Sequence, residues 1–265
     1  MASISNLIPE RLRWRPRRDP DGTMTLVEHL EELRYRLFVS LVAVAVGAVF
    51  AWFLFPPIVR LLQNPYCTYW KTVPLKVRPT QECTFFFFGA LEPVLIKLKL
   101  VGFISLFLAL PVILYQLWAF VVPGLTDRER KMAIPFVVSS VVLFALGAAF
   151  AYWTLPKALS FLLGFAGTTN FAPLLTGDRY LSFVMLVALA FGISFEFPIV
   201  LIFLELAGVL STRRLRDWRR YAIVGVAIFA AVITPSQDPY TMLAMCVPMW
   251  LFYEVSIIVG RLAGR

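Results

Sequence analysis

Residues 181–210 read LSFVMLVALAFGISFEFPIVLIFLELAGVL, about thirty positions of which only Glu196 and Glu205 are charged. A helix needs about 20 apolar residues to cross the hydrocarbon core of a bilayer, so this stretch is long enough to span one. Glu196 lies near its middle, where an ionisable group costs on the order of 3 kcal/mol to insert and is a functional candidate by default. Two residues on, Pro198 has no N–H to give the Ser194 carbonyl, which predicts a kink in the same turn. Glu205 is closer to the end of the stretch, where snorkelling towards the interface is expected.

The rest of the chain has the same character. It is 60% hydrophobic with a mean hydropathy of +0.78, against ~45–50% apolar content for a soluble domain. Six segments have spanning character, at 37–57, 99–122, 133–155, 181–209, 221–235 and 241–260. Backbone amides in lipid must be bonded within a helix or a closed barrel, and no period-2 strand series competes. The expectation is an all-α polytopic membrane protein with six transmembrane helices. Pro111, Pro135, Pro156, Pro198 and Pro248 predict kinks, and the two final spans are expected to be short enough to thin the bilayer locally.

A net charge of +9 could point to nucleic acid, but its distribution argues for topology. With the N-terminus in the cytoplasm, 17 of the 25 Lys and Arg residues fall on that side: seven before the first span, three in 123–132, five in 210–220 and two at the C-terminus. The other eight fall outside. This is the positive-inside pattern, with both termini cytoplasmic, and it leaves no soluble module for nucleic acid. Residues 1–24 are expected to be a flexible basic tail near anionic headgroups rather than a signal peptide, because no apolar run directly follows the arginines. Residues 25–262 form a single membrane domain.

That domain opens on TLVEHLEELRYRL (25–37). Leu26, Leu30, Leu33 and Leu37 recur at helical spacing, giving an amphipathic lead-in helix over 25–36. Thr25 and Glu28 have capping-box spacing, and Glu32 precedes Arg36 by four, a pair worth ~0.2–0.5 kcal/mol if exposed. His29 is the only histidine; with no ligand near it, polar packing is expected rather than a metal. A long outer loop over 58–98 carries Pro56, Pro57, Pro65, Pro74, Pro79 and Pro93 in or beside it and is expected to form an ordered cap. Cys67 and Cys83 lie in that loop, on the oxidising side. A disulfide between them would close about 15 residues and stabilise by roughly 3 kcal/mol; two free thiols are the alternative. Cys246 reads as a core residue.

In the second cytoplasmic loop Thr126 and Glu129 again have capping-box spacing. The functional alternative pairs Glu129 with Glu32 as an acidic site for guanidinium groups, which carboxylates bind by charge-assisted hydrogen bonds. Near the last span, Asp238-Pro239 has the form of an N-cap with proline at the first helical position.

These residues resemble the TatC family, the multispanning subunit of the twin-arginine, Sec-independent protein translocase. His29 to Leu37 (HLEELRYRL) is similar to the family's motif before the first span. Pro111 to Leu125 (PVILYQLWAFVVPGL) with Glu129-Arg130 resembles its second signature. Tyr180 to Phe183, Gly192 to Pro198, and Thr234-Pro235 with Asp238 complete the set over about Thr25 to Gly260. The resemblance implies kinked helices forming a concave, glove-like surface in the cytoplasmic membrane. It implies that Glu32 and Glu129 receive the paired arginines of signal peptides on folded cargo. It implies single-span TatA/TatB-type partners, a homo-oligomer within the receptor complex, contact with membrane lipids and transport driven by the proton-motive force. No cofactor and no enzymatic activity are implied. Glu28, Arg34, Arg36, Pro65, Tyr115, Trp118, Phe120, Pro123 and Asp238 have structural or supporting parts, and Glu196 is assigned to partner contacts or gating. A proton-coupled secondary transporter using Glu196 is the alternative, although the repeats common in that class are absent from the sequence. An intramembrane hydrolase lacks any catalytic constellation.

Overall fold

The computed structural model describes residues 26–72, 83–121, 133–164, 176–235 and 238–262. Among them every regular element is an α-helix, and the one strand-like contact is an isolated bridge between Phe86 and Thr176. The basic tail, 1–24, lies outside the described residues.

Helix α1 runs unbroken from Leu26–Thr72, about 70 Å at 1.5 Å per residue. The lead-in helix and the first span are therefore one rod, which continues through the first third of the expected outer loop. From the far side, α2 (Glu92–Val121) takes up the last residues of that loop. Three prolines inside α1, at 56, 57 and 65, argued for a loop because each removes a helical donor. At Pro65 the loss is made good from elsewhere: the Leu61 carbonyl, four residues earlier, accepts the Tyr152 hydroxyl at 3.0 Å. One residue along, the Leu62 carbonyl accepts the Tyr180 hydroxyl at 2.7 Å. Tyr66, Phe85 and Tyr180 then cluster with centroids 5.2–5.6 Å apart, and Trp70 adds a further ring against Tyr66. A disulfide joins Cys67 to Cys83, and Gln63 Nε2 donates to the Cys83 carbonyl at 2.9 Å. The outer extension is thus tied down by rings, hydroxyls and a covalent bond.

The remaining elements are α3 (Ala133–Gly164), α4 (Gly177–Ser194), α5 (Phe197–Leu206), α6 (Thr212–Asp217), α7 (Arg219–Ile233) and α8 (Pro239–Leu262). Among the described residues five helical segments are long and apolar enough to cross a membrane: Val27–Lys71, Glu92–Phe120, Ile134–Gly164, Gly177–Leu206 (α4 and α5 together) and Pro239–Leu262. The expected fifth span, α7, has 15 residues, about 22 Å, and falls short of a ~30 Å core. The last helix does not: α8 has 24 residues, so only one of the two final segments is short.

Proline acts differently at different positions. Pro111, Pro156 and Pro248 sit inside helices that continue past them. At Pro198 the helix stops and restarts, with α4 ending at Ser194 and α5 beginning at Phe197. In between, the Glu196 N–H turns back to the Ile193 carbonyl, three residues away, at 3.1 Å, a tighter 3₁₀-type turn. The far end of α5 is fixed by Gly208, whose φ of 75° is the left-handed stop that L-residues avoid.

Lipid tails give helices no hydrophobic reason to associate, so close approach through small residues has to hold them. A Cβ at Gly147 on α3 would lie 2.6 Å from the Phe191 carbonyl oxygen of α4, and one at Gly192 would lie 2.7 Å from the Phe144 ring. Likewise Gly47 of α1 faces the Ser105 carbonyl of α2, 2.9 Å from a built Cβ. Large apolar side chains such as Phe53, Leu30 and Val232 point outward, as they should in a hydrocarbon solvent.

Candidate functional site

Helical periodicity puts Glu32 on the opposite face of α1 from Leu30, Leu33 and Leu37. Those leucines are exposed, and Glu32 is the buried residue, at 2% of its open surface. The amphipathic face is therefore inverted relative to a soluble helix, with the acid inward and the leucines towards lipid. Glu32 Oε1 accepts from Arg36 Nη2 at 2.5 Å and Nε at 2.9 Å. From α2, Gln116 Oε1 accepts from Arg36 Nη1 at 3.1 Å. The i,i+4 pair is thus half-buried and cross-linked to the second helix, not a solvated surface contact. Glu32 Oε2 is buried and has no hydrogen-bond partner among the described residues. One turn away, His29 stacks on Phe120 with centroids 4.3 Å apart. The result is a carboxylate with one oxygen committed to a guanidinium and the other buried without a donor among the described residues.

Two residues after Gln116, on the opposite side of α2, Trp118 is buried. Its Nε1–H donates to the Ser140 hydroxyl of α3 at 3.0 Å, and its ring meets Phe136 and Phe203, each at 5.1 Å. Ser140 also faces the Glu196 carboxyl, while Glu196 Oε1 is buried without a hydrogen-bond partner among the described residues. Accepting from tryptophan leaves the serine free to donate its own proton towards Glu196. The second sequence motif and the intramembrane acid thus meet through a residue belonging to neither.

The other singled-out residues scatter. Glu28 lies in the first turn of α1; Thr25, its expected capping partner, is outside the described residues, as are Pro123 and Glu129. Arg34 and Tyr115 face outward, Pro65 lies within α1, and Asp238 caps α8 by accepting the Thr241 N–H at 2.8 Å. Glu205 does not snorkel. It is buried, with Oε1 accepting from Thr212 Oγ1 at 3.0 Å, because α6 folds back beneath it and Gly260 of α8 closes over it.

A family profile described as "TatC: Sec-independent protein translocase protein (TatC)" matches residues 28–248. The chain belongs to the TatC family. It is 46% identical over 257 residues to the Sec-independent protein translocase protein TatC of Frankia casuarinae, covering 95% of this chain and 69% of that one. It is 42% identical to the TatC of Aquifex aeolicus, over 91% of this chain and 97% of that protein. A crystal structure described as twin arginine translocase receptor TatC superposes with a TM-score of 0.72 at 39% identity, over 89% of this chain and all of that one. This TatC family member is accordingly a multi-pass membrane subunit of the twin-arginine protein translocase, a transport component. Sequence reading missed Gln116, which accepts from the Arg36 that pairs with Glu32, and Ser140, which faces Glu196. Gln116 carried a usable signal as a lone amide in an apolar run, whereas Ser140, a small hydroxyl of the kind spans commonly hold, carried none.

Proposed function

We propose that this subunit receives the paired arginines of twin-arginine signal peptides at Glu32 and Glu129, on the cytoplasmic face of the cytoplasmic membrane. The observation that carries the reading is the unmatched buried oxygen of Glu32. A carboxylate held on one side by Arg36 can accept charge-assisted hydrogen bonds from a second guanidinium at its other oxygen, and a guanidinium offers more donors in a fixed plane than an ammonium does. Gln116 keeps Arg36 in place, so an incoming arginine meets a fixed acceptor. The Lys and Arg distribution supports cytoplasmic termini, with α7 serving as a short sixth crossing and the kinked helices forming a concave, glove-like face. Single-span TatA/TatB-type subunits and further copies of this chain assemble on that platform, and the proton-motive force drives passage of folded cargo. Replacing Glu32 or Glu129 by Ala is expected to abolish export of a folded twin-arginine reporter at an unchanged membrane level of the subunit. Wild-type export by both single variants would refute the assignment. A crosslink from the Glu129 segment to a signal peptide should disappear when the two arginines are changed to lysines.

A further inference from the structure

The corner where α5, α6 and α8 meet holds an acid that signal binding does not use. Glu205 is 1% exposed. Its Oε1 accepts one hydroxyl, that of Thr212 at the start of α6, and its Oε2 is buried without a partner among the described residues. Gly260 of α8 seals the pair: a Cβ there would fall 2.3 Å from Glu205 Oε1 and 2.6 Å from Thr212 Oγ1. Beside it the Tyr253 hydroxyl of α8 donates to the Leu215 carbonyl of α6 at 2.6 Å, within a small separate core of Leu201, Leu215, Tyr253 and Ile257.

We propose that Glu205 is a proton-carrying latch: its neutral carboxyl keeps α6 closed on α5 and α8, and loss of the proton to water at that end releases α6. The surroundings fit a neutral acid. Tyr253 is the titratable group of α8 close enough to feel Glu205, and its hydroxyl is committed to Leu215. Arg219 of α7 is paired with Glu254 of α8. On α6, Arg213, Arg214, Arg216 and Asp217 are exposed, as is Arg261 on α8. In α3, which reaches α5 through Phe136 and Phe203, the one charged residue is Lys157, about 31 Å along the helix from Phe136. Charged residues of α2, which arrives through Trp118, are Glu92, Lys97 and Lys99 at its other end. No described cation reaches the carboxyl, and a buried carboxylate held by a single hydroxyl is a poorly compensated charge. A neutral carboxyl carries no charge to compensate, and its one polar contact, with Thr212 Oγ1, suits it as acceptor or as donor. Ionisation would therefore be met by admitting water, which means lifting Gly260 and Thr212 away.

The test uses the full chain in lipid nanodiscs and hydrogen exchange of residues 212–217 read by mass spectrometry, comparing wild type with Glu205→Gln at each pH so that the intrinsic rate cancels. Glutamine has the shape of the neutral acid and cannot lose its proton. Matching exchange at low pH is expected, with the wild type about tenfold faster at high pH while Glu205→Gln stays protected, since exchange reports local opening. Equal exchange at every pH would overturn the latch. Independently of whether that variant folds, wild-type chain labelled with carbon-13 glutamate should show an infrared carbonyl band of a protonated carboxyl that fades as α6 opens. An α6 that opens with no loss of such a band would overturn it as well.

Discussion

Ser140 connects two side chains that are 78 positions apart in sequence, taking a hydrogen from Trp118 and facing Glu196. A serine hydroxyl can do both at once, which makes it the smallest available link between an indole donor and an intramembrane acid. The contact requires an acceptor at position 196 more than it requires a charge. Glu196→Gln is therefore expected to keep export within about twofold of wild type. Glu196→Ala should lose most of it, since a buried donor left unpaired costs about 1–3 kcal/mol. Export of a folded twin-arginine reporter measures both, and equal loss in the two variants would assign the role to the ionised form. Glu196 was legible in the sequence because a charge among apolar residues stands out, and Glu32 because of its spacing to Arg36 and its place in the HLEELRYRL motif. Their partners were not, since Ser140 and Gln116 come from other helices and only folding brings them near.

At the scale of elements, the crossing of α3 and α4 leaves no room for a side chain at two positions. Gly147→Ala would set a methyl group 2.6 Å from a backbone oxygen, and backbone cannot rotate away as a flexible side chain can. The expected cost is about 1–3 kcal/mol, seen as a lower thermal unfolding midpoint of the detergent-solubilised chain and lower membrane accumulation. By contrast Gly102, with open space around it, should accept alanine without loss. Helix identity was readable from apolar run length, yet helix ends were not. Local rules place a loop after Pro56 and Pro57, yet α1 continues past both and past Pro65, where the orphaned Leu61 carbonyl is met by a hydroxyl from a residue 91 positions downstream. The break at Glu196 falls at one of the prolines where the sequence predicts a kink, and there the chain tightens its turn.

For the whole molecule, α1 links the Glu32 site at one end to the disulfide cap at the other. Cys67 and Cys83 close a loop of 16 residues in sequence separation, and replacing both by serine should cost roughly 3 kcal/mol of stability. Thermal unfolding checks this, and alkylation of the denatured, unreduced chain should label Cys246 alone. Labelling of all three cysteines without reductant would contradict the bond. Sequence could place both thiols on the oxidising side, but their approach depends on α1 staying helical to Thr72. That helicity rests in part on the Tyr152 hydroxyl at the Leu61 carbonyl. Pro65 creates the unmet acceptor and Tyr152 meets it, so the two positions are bound by epistasis. Phenylalanine at 152 is therefore expected to cost more while proline stands at 65 than after the proline is replaced, so that keeping the one residue favours keeping the other.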